Sequence, residues 1–73
     1  MARYKRLEVL NAINETGAVP VFYNGDIDTA KGIARACVAG GIRVLEFTNR
    51  GDFAWEVFSA LEKYCARELP DAI

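Results

Sequence analysis

Apolar residues near the start of the chain first recur at regular intervals and then form a continuous run. A three-residue spacing among charged residues predicts a helix from about Ala2 to Glu15. The apolar positions of this helix are Leu7, Leu10 and Ile13. Gly17 is expected to end it, because glycine readily adopts the left-handed conformation that closes many helices. Residues 18–22 (AVPVF) are apolar and rich in β-branched side chains, so they predict a first strand.

A second helix and a second strand follow. Turn-forming residues lead into the helix, and Asp26 or Asp28 is expected to cap it by accepting from its free amides. Its apolar face consists of Ala30, Ile33, Ala34, Cys37 and Val38. The pair Gly40-Gly41 returns the chain to residues 42–48 (IRVLEFT), which predict a strand. One crossover helix between the strands predicts that they are parallel.

A third helix is predicted from about Asp52 to Glu68, and Pro70 follows its end. Its inward positions are Ala54, Val57, Phe58, Leu61 and Cys65, and its outward positions are Glu56, Glu62, Lys63 and Arg67. Residues 71–73 resemble the approach to another strand. The order of a helix, two strand-helix units and a broken third predicts an α/β fold with a parallel sheet. Two parallel strands cannot cover both of their faces, so this segment is expected to need more protein.

Charge and composition exclude several classes of function. The formal net charge is −1, and the nine basic residues are spread among ten acidic ones, which argues against nucleic-acid binding. No apolar run approaches the roughly 20 residues that cross a bilayer, and no signal peptide is evident. We therefore expect a soluble, cytoplasmic protein without a membrane or nucleic-acid partner.

The chain contains no histidine and two cysteines, Cys37 and Cys65. Both cysteines stand at apolar helix positions, where buried free thiols are expected rather than a disulfide. A Cys/His metal site is not expected, and acid-base chemistry is left to carboxylates, lysine, tyrosine or water.

Glu46 is the first candidate for chemistry, because it stands in a strand with apolar neighbours on both sides. Burial there is expected, and burial raises a carboxyl pKa towards the range that serves proton transfer. Arg50 follows the strand and could grip a carboxylate with two hydrogen bonds, and Thr48 could hold a hydroxyl or water. Two alternatives remain open: Glu46 as a structural partner of Arg43 or Arg50, and Arg50 as a surface residue beside a helix. Phe53, Trp55 and Tyr64 are interpreted as packing or interface residues.

The segments Val19-Pro20-Val21 and AGGIRVLEFTNR (39–50) resemble the opening of the KDPG (2-keto-3-deoxy-6-phosphogluconate) and 4-hydroxy-2-oxoglutarate aldolases. The similarity spans about residues 7–73. It implies that residues 1–73 are the incomplete amino-terminal segment of a single (β/α)8 TIM-barrel domain, comprising a helix and two βα units. Asn49 and Gly51 stand where relatives often have Leu and Thr, and residues 23–25 (YNG) form an unusual first loop.

The resemblance also implies a chemistry. These enzymes cleave a 2-keto acid to pyruvate and an aldehyde through a Schiff base on a lysine of a later strand, and they use no cofactor. By position, Glu46 matches the glutamate that shuttles protons and Arg50 the arginine that binds the substrate carboxylate. The Schiff-base lysine is expected outside this chain, because Lys5, Lys31 and Lys63 lie on predicted helices. A homo-oligomer, a trimer by resemblance, is expected.

Two hypotheses follow from these observations. In the first, the intact gene product is a class I aldolase acting on a small 2-keto acid, and the isolated 73 residues are inactive. In the second, the chain is a non-catalytic α/β module that associates with itself or a partner through exposed strand edges.

Overall fold

The computed structural model describes residues 3–73, which form three helices and a parallel pair of short strands. In chain order these are α1 (Arg6–Thr16), β1 (Val21–Phe22), α2 (Ile27–Ala39), β2 (Glu46–Phe47) and α3 (Ala54–Glu68). This order confirms the predicted helix followed by two strand-helix units. The strands are shorter than predicted, because the two extended segments pair with each other only over these residues.

The two strands are parallel, as the crossover through α2 predicts. Val21 is opposite Glu46, and Phe22 is opposite Phe47. The N–H of Glu46 donates to the carbonyl oxygen of Pro20 at 2.9 Å, and the N–H of Thr48 donates to that of Phe22 at 2.9 Å. This register brings the carboxyl ends of both strands to the same edge of the sheet.

The segment that leads into β2 has a partner of its own, the backbone of Ile73. The N–H of Ile73 donates to the carbonyl oxygen of Arg43 at 2.7 Å, and the N–H of Leu45 donates to that of Ile73 at 2.8 Å. This exchange is the hydrogen-bond pattern of a parallel pair of strands. Residues 71–73 therefore approach the sheet as predicted, and the segment before β2 is hydrogen-bonded on the side away from β1.

Predicted turn chemistry fixes the ends of two helices. Gly17 ends α1 in the left-handed conformation, with φ of 75°, and its N–H donates to the carbonyl oxygen of Ile13 at 2.8 Å. At the start of α2, the Asp26 carboxylate accepts from the Thr29 N–H at 2.9 Å and from its hydroxyl at 2.6 Å. Of the two predicted capping residues, Asp26 is the one that caps the helix.

The core lies where α2 and α3 pack on one face of the strands. Its buried members are Ala30, Ala34, Leu61, Tyr64, Cys65 and Ala72. Ala30 and Ala34 are completely buried, and their small side chains allow the two helices to approach closely. Phe22, Leu45 and Phe47 pack against this core from the strands. The predicted apolar face of the second helix is therefore confirmed at its centre.

The predicted apolar face of the first helix does not pack in this way. Leu7 is 71% exposed and Leu10 is 52% exposed, and Ala12 is the buried residue of α1. Spacing predicts that a helix has an apolar face, but it does not identify what covers that face. The helix begins at Arg6, and the start predicted at Ala2 lies outside the described residues. Arg3 attaches the segment before α1 to the far end of the chain by donating to the carbonyl oxygen of Ala72 at 3.1 Å.

The third helix differs from its prediction at its first turn. It begins at Ala54 rather than Asp52, because Phe53 adopts the left-handed region with φ of 61° and interrupts the helical backbone. Phe58, predicted to face inward, is 48% exposed, and Trp55 is 67% exposed. Tyr64 is buried, which confirms a packing role for that residue, and its hydroxyl accepts from Arg35 Nε at 3.0 Å.

Candidate active site

Four residues that follow the two strands lie at one edge of the sheet. Tyr23 comes directly after β1, Thr48 directly after β2, and Arg50 and Gly51 are next in the loop that leads to α3. We call these four residues the rim. Because β1 and β2 are parallel, the rim gathers at the carboxyl ends of both strands, where α/β proteins commonly bind ligands.

Glu46 stands on β2 immediately below the rim. It is exposed, and its neighbour Phe47 packs against the helices. Since side chains alternate along a strand, Glu46 points to the face that α2 and α3 do not cover. The predicted burial of Glu46 is therefore wrong for the described residues, because a pair of strands leaves this face open. Glu46 shares the open face with Val21, its opposite residue on β1, which is 50% exposed.

Arg50 is also exposed, and it lies three residues beyond the end of β2. Its guanidinium is thus carried by the loop at the carboxyl end of the sheet rather than by the strand. The loop ends at Phe53, and α3 begins at the next residue, Ala54. Arg43, one of the two structural partners considered for Glu46, instead donates from Nε to the carbonyl oxygen of Asp71 at 3.0 Å.

Thr48 ties the rim to the end of β1. Besides its backbone hydrogen bond, its hydroxyl donates to the carbonyl oxygen of Phe22 at 3.4 Å. The hydroxyl oxygen keeps its lone pairs as acceptors. Thr48 can therefore hold a donor, such as a water or a ligand hydroxyl, on the side of the sheet that carries Glu46 by alternation.

Two pKa shifts in the structure concern groups outside the rim. Hydrogen bonds from the Thr29 side chain and backbone lower the pKa of Asp26, in keeping with its capping role. Burial raises the pKa of the Cys65 thiol, which keeps it protonated and poorly nucleophilic. Both cysteines are free, with Cys65 buried, as expected, and Cys37 only half-buried.

Within residues 3–73, no group of three or more Cys, Asp or Glu side chains is arranged to hold a metal ion. In the same part of the chain, no helix is both long and apolar enough to cross a membrane.

Comparison with curated proteins finds two aldolases to which the chain is similar. A 2-dehydro-3-deoxy-phosphogluconate aldolase of Pseudoalteromonas atlantica is 37% identical over 73 residues, which are 100% of this chain and 32% of that protein. A 2-dehydro-3-deoxy-phosphogluconate aldolase of Dickeya dadantii is 44% identical over 55 residues, which are 75% of this chain and 24% of that protein. The chain is a relative of the KDPG aldolases. A scan against models of protein families finds no match.

The chain spans about a third or less of the length of the curated relatives it matches. This partial coverage supports the prediction that the chain corresponds to the amino-terminal portion of a KDPG aldolase. Similarity in sequence does not by itself assign the roles of Glu46, Thr48 and Arg50, which remain predictions.

One rim residue, Tyr23, was not among the site residues predicted from the sequence. Tyr23 was interpreted only as part of a turn, but its ring lies 5.6 Å from that of Phe47, between centroids, and its hydroxyl lies against Gly51. The sequence offers one signal for this contact. An aromatic residue follows one strand directly, and a glycine lies in the loop after the next strand. Because the two strands are parallel, these residues come to the same edge of the sheet.

Proposed function

We propose that the chain is the amino-terminal part of a (β/α)8-barrel aldolase that splits KDPG or a related 2-keto-4-hydroxy acid to pyruvate and an aldehyde. The observation that carries the proposal is the position of Glu46, on the open face of a parallel strand and just below the rim. Similarity to one KDPG aldolase over the whole chain, and to a second over 75% of it, supports the same reaction.

The sheet supports the barrel part of the proposal. β2 pairs with β1 on one side, and Ile73 makes parallel hydrogen bonds to Arg43 and Leu45 on the other. Helices α2 and α3 cover the face that carries Phe47. In a barrel, further strands would close the sheet, and the open face with Glu46 would become part of the interior.

In this proposal the rim binds the substrate and Glu46 transfers protons. Arg50 holds the substrate carboxylate through the forked geometry of its guanidinium. Glu46 moves protons during carbinolamine formation and carbon-carbon cleavage, through a water molecule that Thr48 helps to hold.

The amine that forms the Schiff base is assigned to a lysine outside residues 1–73. Lys5 precedes α1 and is exposed, and Lys63 is exposed on α3. Lys31, on α2, has its Nζ 5.3 Å from the centroid of the Tyr64 ring, on the helix side of the sheet. None of the three lysines stands on a strand or in the rim.

The wider setting follows the family resemblance. We propose a cytoplasmic enzyme of carbohydrate metabolism that uses no cofactor, binds a small 2-keto acid and assembles as a homo-oligomer, a trimer by resemblance. The similarity to aldolases does not favour the alternative of a non-catalytic module that associates through strand edges.

Borohydride trapping tests the proposal directly. The intact gene product is incubated with pyruvate and sodium borohydride, and the modified residue is located by peptide mass spectrometry. We expect a reduced adduct on one lysine outside residues 1–73, and no aldolase turnover from the isolated 73 residues. A stable adduct on Lys5, Lys31 or Lys63 would contradict the assignment, and the absence of any adduct would contradict Schiff-base chemistry.

A further inference from the structure

Tyr23 and Gly51 form a contact between the two loops of the rim. A methyl group at residue 51 would lie 2.6 Å from Cζ and 3.0 Å from Cε2 of the Tyr23 ring, and still closer to its hydroxyl. A side chain at residue 25 would lie 3.2 Å from the same hydroxyl. The phenol tip is thus accommodated by a glycine from each loop.

The glycine at residue 51 is required by space rather than by backbone conformation. The described glycines with positive φ are Gly17 and Gly41, so Gly51 has a backbone that other residues can adopt. What Gly51 alone permits is the approach of the Tyr23 ring. The two residues therefore act as a pair that fixes where the phenol oxygen lies.

This fixed phenol oxygen lies beside the residue that carries the guanidinium. Gly51 follows Arg50 directly, so the hydroxyl contacts the residue next to Arg50 in the same loop. The ring also packs against Phe47, with an angle of 54° between the two ring planes. A phenol held in this way loses little side-chain entropy when it hydrogen-bonds to a ligand.

We propose that Tyr23 is a substrate-binding residue that donates a hydrogen bond from its hydroxyl to an oxygen of the 2-keto acid held by Arg50. Gly51 is the residue that positions the phenol. This inference rests on the proposed aldolase function and adds a donor from the first loop to it. The ligand class is a small 2-keto acid, because its carboxylate and neighbouring keto or hydroxyl oxygens offer acceptors to adjacent donors.

Substitution of Tyr23 by phenylalanine removes the hydroxyl and keeps the ring against Phe47. In the intact gene product, with KDPG as substrate, Y23F is expected to raise KM about three- to tenfold, the range of one hydrogen bond. The value of kcat and the melting temperature are expected to stay close to those of the unsubstituted enzyme. G51A is expected to raise KM as well, because its methyl group displaces the phenol.

The double variant separates a shared role from two unrelated ones. If Gly51 acts by positioning the Tyr23 hydroxyl, Y23F/G51A is expected to have a KM no higher than that of the worse single variant. G32A is the matched control, because Gly32 lies on α2 with no atom within 4 Å of an added methyl group. G32A is expected to leave KM unchanged.

The possible failures can be told apart. If the unsubstituted enzyme cleaves no 2-keto-4-hydroxy acid, the proposed function fails and this inference fails with it. If the enzyme is active and Y23F keeps its KM, the inference alone is overturned. A Y23F variant whose kcat falls with its melting temperature, at constant KM, would show a packing role and would also overturn it.

Discussion

The two faces of β2 have different surroundings although they belong to consecutive residues. Phe47 packs against α2, α3 and the aromatic ring of Phe22, whose centroid lies 5.5 Å away. Glu46 is exposed on the opposite face, which the core between α2 and α3 does not cover. The alternation of a strand thus separates the residues that stabilise the fold from the residue proposed for chemistry. Substitutions on the two faces are expected to change different properties.

The largest effect is expected from E46Q on the open face. The substitution keeps the shape of the side chain and removes the group that moves protons, so kcat of the intact gene product is expected to fall about 100- to 10,000-fold. Because glutamine has nearly the volume of glutamate, the melting temperature is expected to change little. Aldolase kinetics and thermal unfolding measure the two properties.

E56Q is the control for E46Q, since Glu56 is an exposed carboxylate in the first turn of α3. It is expected to keep full activity. An E46Q enzyme whose kcat lies within about threefold of the unsubstituted value would contradict a proton-transfer role, because such a role contributes far more.

The next largest effect is a loss of stability, expected in the core that packs against the Phe47 face of β2 and includes Leu61. Leu61 is 5% exposed on α3, and L61A is expected to lower the free energy of unfolding by about 2 to 5 kcal/mol, through lost burial and the cavity left behind. L7A makes the same chemical change at an exposed position of α1, and is expected to alter stability by less than about 0.5 kcal/mol. Urea unfolding of the intact gene product checks both.

The outcome of the L7A control also bears on what covers α1. A loss comparable to that of L61A would mean that Leu7 is buried in the intact protein by something outside residues 3–73. Such a result would remove the contrast between the two leucines, while leaving the contrast between the faces of β2 untouched.

The sequence predicted the parts of the fold that local pattern controls. Helix order, the parallel pair of strands, the Gly17 end of α1 and the Asp26 cap follow from periodicity and from turn chemistry. It failed where the outcome depends on a partner. The exposure of Leu7 and of Glu46 reflects which surfaces the described residues leave uncovered, and no spacing of residues contains that information.

The candidate site shows the same limit. Glu46, Thr48 and Arg50 could be selected from one continuous segment, because strand alternation and strand ends are properties of local sequence. The contact of Tyr23 with Gly51 joins residues from two loops, 28 positions apart, and it depends on the register of β1 with β2. Register is set by pairing, so this contact appeared only in the structure.

The smallest effect is expected at Asp26, which caps the helix that covers the Phe47 face. D26A is expected to lower the melting temperature at pH 7, because the Thr29 N–H loses its acceptor.

The effect of D26A is also expected to depend on pH. Hydrogen bonds to the Asp26 carboxylate lower its pKa in the folded protein, so its stabilising contribution is present above the ordinary aspartate pKa of about 4. The contribution is lost as the pH falls through the lowered value, because the folded state must then bind the proton as well. The gap in melting temperature between D26A and the unsubstituted protein should therefore narrow between pH 5 and pH 2, roughly the range over which such carboxylates protonate. D26N keeps an acceptor without a titrating group, so the difference in melting temperature between D26N and D26A should stay constant over the same range. A gap between D26A and the unsubstituted protein that also stays constant would mean that the charge of Asp26 does not contribute to the cap.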